Sequence, residues 1–237
     1  MKLSRLALAV ALLPGVQVFA ADAEQELPSM LITSARQAEP RDQATAASTV
    51  FTRADIERLQ ARSVPELLRR VPGVQVSSAG GLPSLSLRGT GTAQTLVLVD
   101  GQRIASATSG FARLDYLAID NIERVEVIRG PRSSLYGADA IGGVIQIFTR
   151  GGKPGINPEV RLAAGSDQTF QRSLSLAAGT EQTRVHLGAS LDERDGFDIT
   201  RDNRGADQDN DGQRNKALHL KLDHQFDANW KAGLSLN

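Results

Sequence analysis

Residues 123–150 constrain the chain more than any other stretch. Two runs rich in Val and Ile, residues 125–128 and 144–148, flank a segment of Gly, Pro and Ser. β-Branched runs bounded by turn residues read as strands. Pro131 has no N–H to give a ladder, so Gly130-Pro131 is predicted to stop the first strand, while Gly137, Gly142 and Gly143 permit close backbone approach or positive φ. From spacing alone this is a glycine-rich hairpin within an α+β domain.

The wording of the stretch goes further than its spacing. Arg129-Gly130-Pro131, Ser134-Leu135-Tyr136-Gly137 and Ala140-Ile141-Gly142-Gly143-Val144-Ile145-Gln146-Ile147 closely resemble the plug domain of TonB-dependent outer-membrane receptors. The resemblance runs back through Leu98-Val99-Asp100-Gly101 and Leu87-Arg88-Gly89 to Val64-Pro65-Glu66-Leu67-Leu68-Arg69-Arg70-Val71-Pro72-Gly73. Within the family it is greatest to the vitamin B12 receptors. It implies an α+β plug, a mixed four-stranded-type sheet with short helices, over residues 44–153, then the first antiparallel strands of a transmembrane β-barrel over 154–237. It also implies a transporter and not an enzyme, energised by TonB and its inner-membrane complex.

The first twenty residues bear on location. Lys2 and Arg5 precede an apolar run over 6–13, then Pro14-Gly15 and a small-residue site at Val18-Phe19-Ala20, the grammar of a cleaved secretory signal peptide of the Sec route. The run is shorter than the ~20 residues a membrane helix needs. There is no cysteine, and Lys plus Arg balance Asp plus Glu at 27 each, so no electrostatic case for nucleic acid exists. Residues 21–43 read as a periplasmic arm, polar apart from Leu27 and a β-prone patch at Met30-Leu31-Ile32-Thr33. Such a patch can add to a sheet edge of another protein or be an ordinary first strand of its own. The resemblance makes Met30, Leu31, Ile32, Thr33, Ser34 and Ala35 a TonB box. The short arm leaves no room for an additional signalling domain.

Within the plug, Thr52 with Asp55 and Ser63 with Pro65 and Glu66 are helix-start signals, Glu66 completing a capping box with Ser63. Strands are predicted at 49–51, 74–76, 85–87 and 95–99, the last closing on the hairpin signal Asp100-Gly101. Two loops of small residues, 77–84 and 105–111, suit either plain surface or contact with a large ligand. The vitamin B12 receptors touch cobalamin with the corresponding loops, which implies Leu82, Ser84, Gly91, Thr108 and Ser109 as ligand contacts. The first loop is shorter than theirs. The charges Arg88, Arg103, Glu123, Arg124, Glu126, Arg129 and Arg132 are expected to face the polar lumen of a barrel.

From Glu159 the pattern changes to period two: Val160 and Leu162; Leu174 and Leu176; Val185, Leu187, Ala189 and Leu191; Leu218, Leu220 and Leu222; Leu234 and Leu236. The residues between are polar or small, including Arg184, His186, Ser190, His219, Lys221 and Asp223. A soluble antiparallel sheet shares this period. After a plug, the pattern implies outer-membrane strands with apolar side chains to lipid, and Phe226 and Trp230 at the interface girdle. Five strands are countable, fewer than the about eight of the smallest single-chain barrels, so the chain reads as the first part of a longer receptor.

Between residues 192 and 211 eight acids stand against three arginines. Asp207-Gln208-Asp209-Asn210-Asp211-Gly212 alternates hard oxygen ligands as calcium requires, but Leu218 stands where an EF-hand has its bidentate Glu. A solvated acidic loop is the other reading. The resemblance implies calcium on Asp198, Asp207, Asp209 and Asp211, since vitamin B12 receptors order outer loops that way. Gly89-Thr90-Gly91 lacks the third glycine of a dinucleotide site, and no nucleophile elbow or P-loop occurs. The function that the resemblance implies is TonB-dependent import of cobalamin across the outer membrane, with outer-membrane lipid around the strands. A ferric-siderophore or haem receptor is the alternative in the same family, and a plug-only periplasmic interaction module the alternative of another class.

Overall fold

The computed structural model describes residues 31–32 and 39–40 as backbone and residues 47–77, 84–106, 112–166, 168–196 and 212–237. Strands β1 (Leu31–Ile32) and β2 (Glu39–Pro40) pair antiparallel. The plug then runs β3 (Ser48–Thr52), α1 (Arg53–Arg58), α2 (Val64–Leu68), β4 (Val74–Ser77), β5 (Ser84–Leu87), β6 (Thr95–Val99), β7 (Gln102–Arg103), β8 (Ile122–Arg129), α3 (Ser133–Tyr136) and β9 (Gly143–Thr149). Its main sheet has the order β3-β8-β9-β6-β7, and β4 with β5 form a separate ladder. The sheet is mixed because β6 and β9 run parallel while the other pairs are antiparallel. It has five strands where four were expected, the extra one being the two-residue β7 beyond the Asp100-Gly101 turn.

Local chemistry accounts for both helix starts. The Thr52 hydroxyl accepts the Asp55 amide at 3.2 Å while the Asp55 carboxylate accepts the Thr52 amide at 3.1 Å, a reciprocal capping box. At α2, Ser63 Oγ accepts the Glu66 amide at 3.3 Å, but Glu66 reaches back one residue further than expected, to the Arg62 amide at 3.0 Å. The second capping box is thus open, and Glu66 satisfies a donor outside the helix. Helix α2 is one turn with Val64, Pro65, Leu67 and Leu68 all buried.

The sheet is covered on both faces. Ile56 of α1, Leu67 and Leu68 of α2, Leu87, Val97, Val99, Val125, Val127, Ile145 and Ile147 form the larger core. Leu96, Leu98, Ile128, Ala140 and Val144 form a smaller one under Tyr136. Every residue of β6 is therefore buried, and this is why 95–99 reads as a continuous apolar run and not as alternation.

The turn between β8 and β9 folds back as a lap. Gly130 N–H donates to the Gly142 carbonyl at 3.0 Å and Arg132 N–H to that of Ala140 at 2.8 Å, with α3 between. Gly143 has φ +149°, and a Cβ there would fall on the Ile128 carbonyl oxygen and the Leu87 side chain. A Cβ at Gly142 would meet the Thr90 side chain. The paired glycines are what let the lap lie flat on its neighbours.

After residues 150–154 come five strands paired in sequence order: β10 (Gly155–Gly165), β11 (Thr169–Gly179), β12 (Thr183–Arg194), β13 (Gln213–Gln225) and β14 (Lys231–Leu236). Ile156, Val160, Leu162, Leu174, Leu187, Leu218, Leu234 and Leu236 project outward and stay exposed, while Ser175, Ala177, His186, Ser190 and His219 project inward and are buried. What buries the polar face is the plug. Among the described residues no helix is long and apolar enough to cross a membrane, and these strands carry the exposed apolar band instead. Phe226 and Trp230 stand exposed in the β13–β14 turn.

Overpacking costs about 1–3 kcal/mol and a strained φ as much again. Gly143→Ala is accordingly expected to lower the denaturant midpoint of the plug by more than Gly89→Ala does, since a Cβ at Gly89 meets nothing within 4 Å despite the same positive φ sign. Urea titration of both variants measures the difference.

Candidate functional site

Loops 78–83 and 107–111 lie outside the described residues, so Leu82, Thr108 and Ser109 are not placed. Their stems are placed. Val76 and Ser84, on either side of the first loop, and Ile104 and Ala112, on either side of the second, all line one small cleft of about 30 Å³. The Thr92 hydroxyl ties the start of β5 to the turn at Gly91, accepting the Leu85 amide at 3.0 Å and donating to the Leu85 carbonyl at 2.9 Å. Ser84 and Gly91 therefore stand exposed on the same rim, and a Cβ at Gly91 would point into open space. Arg103 and Asp139 form an ion pair on the wall of the cleft.

Asp198, Asp207, Asp209 and Asp211 also lie outside the described residues, and among those described no group of three side chains is able to hold a metal. The stems of that loop are fixed: Arg194 pairs in register with Gln213, and Glu193 is held between Arg214 at 2.9 Å and Arg172 at 3.5 Å. Of the six residues 30–35, only Leu31 and Ile32 are described, and they form β1 against Glu39–Pro40. Met30, Thr33, Ser34 and Ala35 lie outside.

The seam between plug and strands is polar and differs from the expected one. Arg124 pairs with buried Glu126 at 2.8 Å and lies over the Phe148 ring, Arg103 pairs with Asp139, and Arg129 donates to the Pro72 carbonyl, all within the plug. The charges that cross the seam are others. Arg161 of β10 meets Asp120 at 3.2 Å, Glu159 of β10 meets Arg150 at 2.7 Å, and Lys221 of β13 meets Asp100 at 3.0 Å. His219 Nε2 stands 3.2 Å from the Arg150 carbonyl oxygen, and Asn215 donates to that of Tyr116. Close approach is possible because Gly152 and Gly188 leave no side chain in the way: a Cβ at Gly152 would strike the Val185 backbone and one at Gly188 the Asn121 side chain. His186, wholly buried beside Gly188, has no hydrogen-bond partner on either ring nitrogen, and its ring lies 5.2 Å from that of His219.

Asp100 is the most heavily engaged of these groups. Its Oδ1 accepts the Thr149 amide and Lys221 Nζ, both at 3.0 Å; its Oδ2 accepts the Thr149 hydroxyl and, at 3.4 Å, that of Ser235 on β14. Lys221 also donates to the Thr149 carbonyl at 3.3 Å. Sequence pattern identified Asp100 only as a turn residue; parity along β13 and β14, which turns Lys221 and Ser235 inward, was the available sign of a partner. Burial pushes the Asp100 carboxyl up, but the two Thr149 hydrogen bonds and Lys221 outweigh it and hold the group below its ordinary 3.8. A carboxylate lowered on folding stabilises fully above 3.8 and loses that contribution as pH falls through the lowered value. The stability difference between the wild type and Asp100→Asn, about 2 kcal/mol for charged hydrogen bonds, is thus expected to be constant from neutral pH to near 3.8 and to shrink progressively as pH falls from there through the lowered value, in thermal melts taken against pH.

The family model of the TonB-dependent Receptor Plug Domain matches residues 40–144. Among solved structures, the pyoverdine outer membrane receptor FpvA of Pseudomonas aeruginosa superposes with a TM-score of 0.73 at 18% identity, over 86% of this chain and 29% of that one. The siderophore receptor PirA of the same organism gives 0.61 at 25% identity, over 81% and 33%. The ferric yersiniabactin uptake receptor FyuA of Yersinia pestis gives 0.63 at 23%, over 80% and 30%. The chain spans about a quarter to a third of the length of the solved receptors it matches. A mixed plug sheet with few short helices, followed by an antiparallel sheet with an apolar outer face, fits these matches, and over residues 40–144 the chain is similar to the plug domain of TonB-dependent receptors.

Proposed function

We propose that the chain is the plug and first barrel strands of an outer-membrane receptor that imports a ferric siderophore under TonB control. The observation that carries this reading is the plug itself: a both-faces-covered sheet buries the polar inner wall of strands whose outer wall is apolar. Such a body closes a lumen that lipid surrounds, and passage then requires the plug to move. The ligand class draws on the solved relatives, which include receptors for pyoverdine and for ferric yersiniabactin. Ligand would sit over the cleft where the four loop stems converge, with Ser84 and Thr92 in its lining and exposed Gly91 next to Thr92 in sequence.

Cobalamin is the second reading. It rests on the resemblance of loops 77–84 and 105–111 to those of vitamin B12 receptors, while the solved relatives favour the siderophore. Calcium on Asp198, Asp207, Asp209 and Asp211 belongs to either reading as an ordering ion for the outer loop, since eight acids in one segment repel one another without a cation. Export with a cleaved leader over residues 1–20 and capture of residues 30–35 by TonB complete the proposal. Capture would proceed by strand addition, in which main-chain bonds supply affinity. The short ladder of Leu31–Ile32 with Glu39–Pro40 must open first.

The test is uptake of radioactive iron chelates and of cyanocobalamin by cells that carry the gene product, with and without TonB. TonB-dependent uptake of an iron chelate supports the proposal, uptake of cobalamin alone transfers it to the second reading, and uptake of neither overturns both. Ile32→Pro removes a ladder donor and is expected to reduce uptake about tenfold or more while surface binding persists. Chelation of calcium is expected to weaken binding without unfolding the plug, read by equilibrium binding with and without chelator.

A further inference from the structure

We propose that Asp100 is a latch that holds the plug shut against the barrel wall, with Lys221 and Ser235 as its catch. The proposal rests on the reading of the chain as a plugged receptor, and the structure places the elements it needs. One carboxylate at the tip of the β6–β7 turn is gripped by the end of β9 through the Thr149 amide and hydroxyl, by β13 through Lys221 and by β14 through Ser235. Both side chains of the ion pair are mostly covered, 15% exposed for Asp100 and 20% for Lys221. A covered, charge-assisted pair with further hydrogen bonds on both partners is stronger than a wetted surface pair. Lys221 has no other anionic partner among the described residues, so without the Asp100 charge it would be left facing only Thr149 oxygens.

The position of the latch gives it its role. Thr149 is the last residue of β9, and the chain passes into β10 only six residues later. Arg150, next in sequence, is itself held by Glu159 and by His219 at its carbonyl. A contact beside a covalent join re-forms with little loop-closure entropy. The root of the plug is thus fastened at a point that closes again readily, 118 positions along the chain from the Ile32 end where force would be applied if counted to Arg150. Asp100 occupies a left-handed conformation, φ +47°, which Asn tolerates as readily. Asp100→Asn therefore keeps the turn while it removes the charge and turns one of the two acceptor oxygens into a donor.

The experiment is passive leak through the gene product in cells lacking TonB, measured as sensitivity to a bulky antibiotic, with conductance of the purified receptor in planar bilayers as the second readout. Neither readout involves a siderophore, so failure of the ligand assignment leaves this result intact. Asp100→Asn and Lys221→Met are each expected to raise leak roughly tenfold. The double variant is expected to leak no more than either single one, because both remove the same contact, and Lys221→Arg is expected to restore the closed state. Leak unchanged in both single variants overturns the latch. So do additive effects in the double variant, or failure of Lys221→Arg to restore closure, since either would mean that the residues support the fold separately.

Discussion

Strand β9 pairs with β8 on one edge and, in parallel, with β6 on the other, and its chain then runs on into the first barrel strand. The plug core, the lap of residues 130–142 and the seam to the barrel all refer to this strand. Its register against β8 brings Gly143 opposite Arg129, where the lap begins, and Ile122 opposite Thr149, where the seam begins. The lap is flat because Gly142 and Gly143 carry no side chain, and at the seam Thr149 and Arg150 offer their backbone to Asp100, Lys221 and His219.

The two interfaces that β9 joins obey different physics. Inside the plug, Ile145 and Ile147 pack into an apolar core, which is non-directional and holds as long as water is excluded. At the seam the contacts are ion pairs, hydrogen bonds and small residues, and buried polar groups such as both nitrogens of His186 and the Ser190 hydroxyl remain without a protein partner. The wetter contacts of that kind exchange with water at small net cost, whereas a covered pair such as Lys221 with Asp100 holds more strongly. The plug is thus held together by apolar packing and held to the neighbouring strands by polar contacts.

Much of this was legible in residue pattern. Val125, Val127, Ile145 and Ile147 announced their strands, Thr52-Asp55 its helix start, and the alternation around Leu174, Leu187 and Leu218 an apolar outer face. Other features were not. Glu66 reaches Arg62 and not Ser63, because the chain before α2 turns its amide toward the carboxylate. Arg124 and Glu126, marked by charge as lumen-facing, pair with each other, because β8 is buried on both faces and a charge there needs its partner at hand. The ligand loops show their stems alone, and the convergence of Val76, Ser84, Ile104 and Ala112 on one cleft joins positions up to 36 residues apart, which no local pattern encodes.

By itself the sequence determined what short-range chemistry determines: helix starts, strand periods, turns that require glycine, and motif words that resemble a plug domain. The tertiary structure alone decided which charges face one another. Lys221 and Asp100 lie 121 positions apart and meet because the plug sheet is docked on the inner wall at β13, with Gly152 and Gly188 as the points of close approach. Charge identity is written locally, but an ion pair is a fact of distance, and distance between remote residues is set only when the two sheets pack.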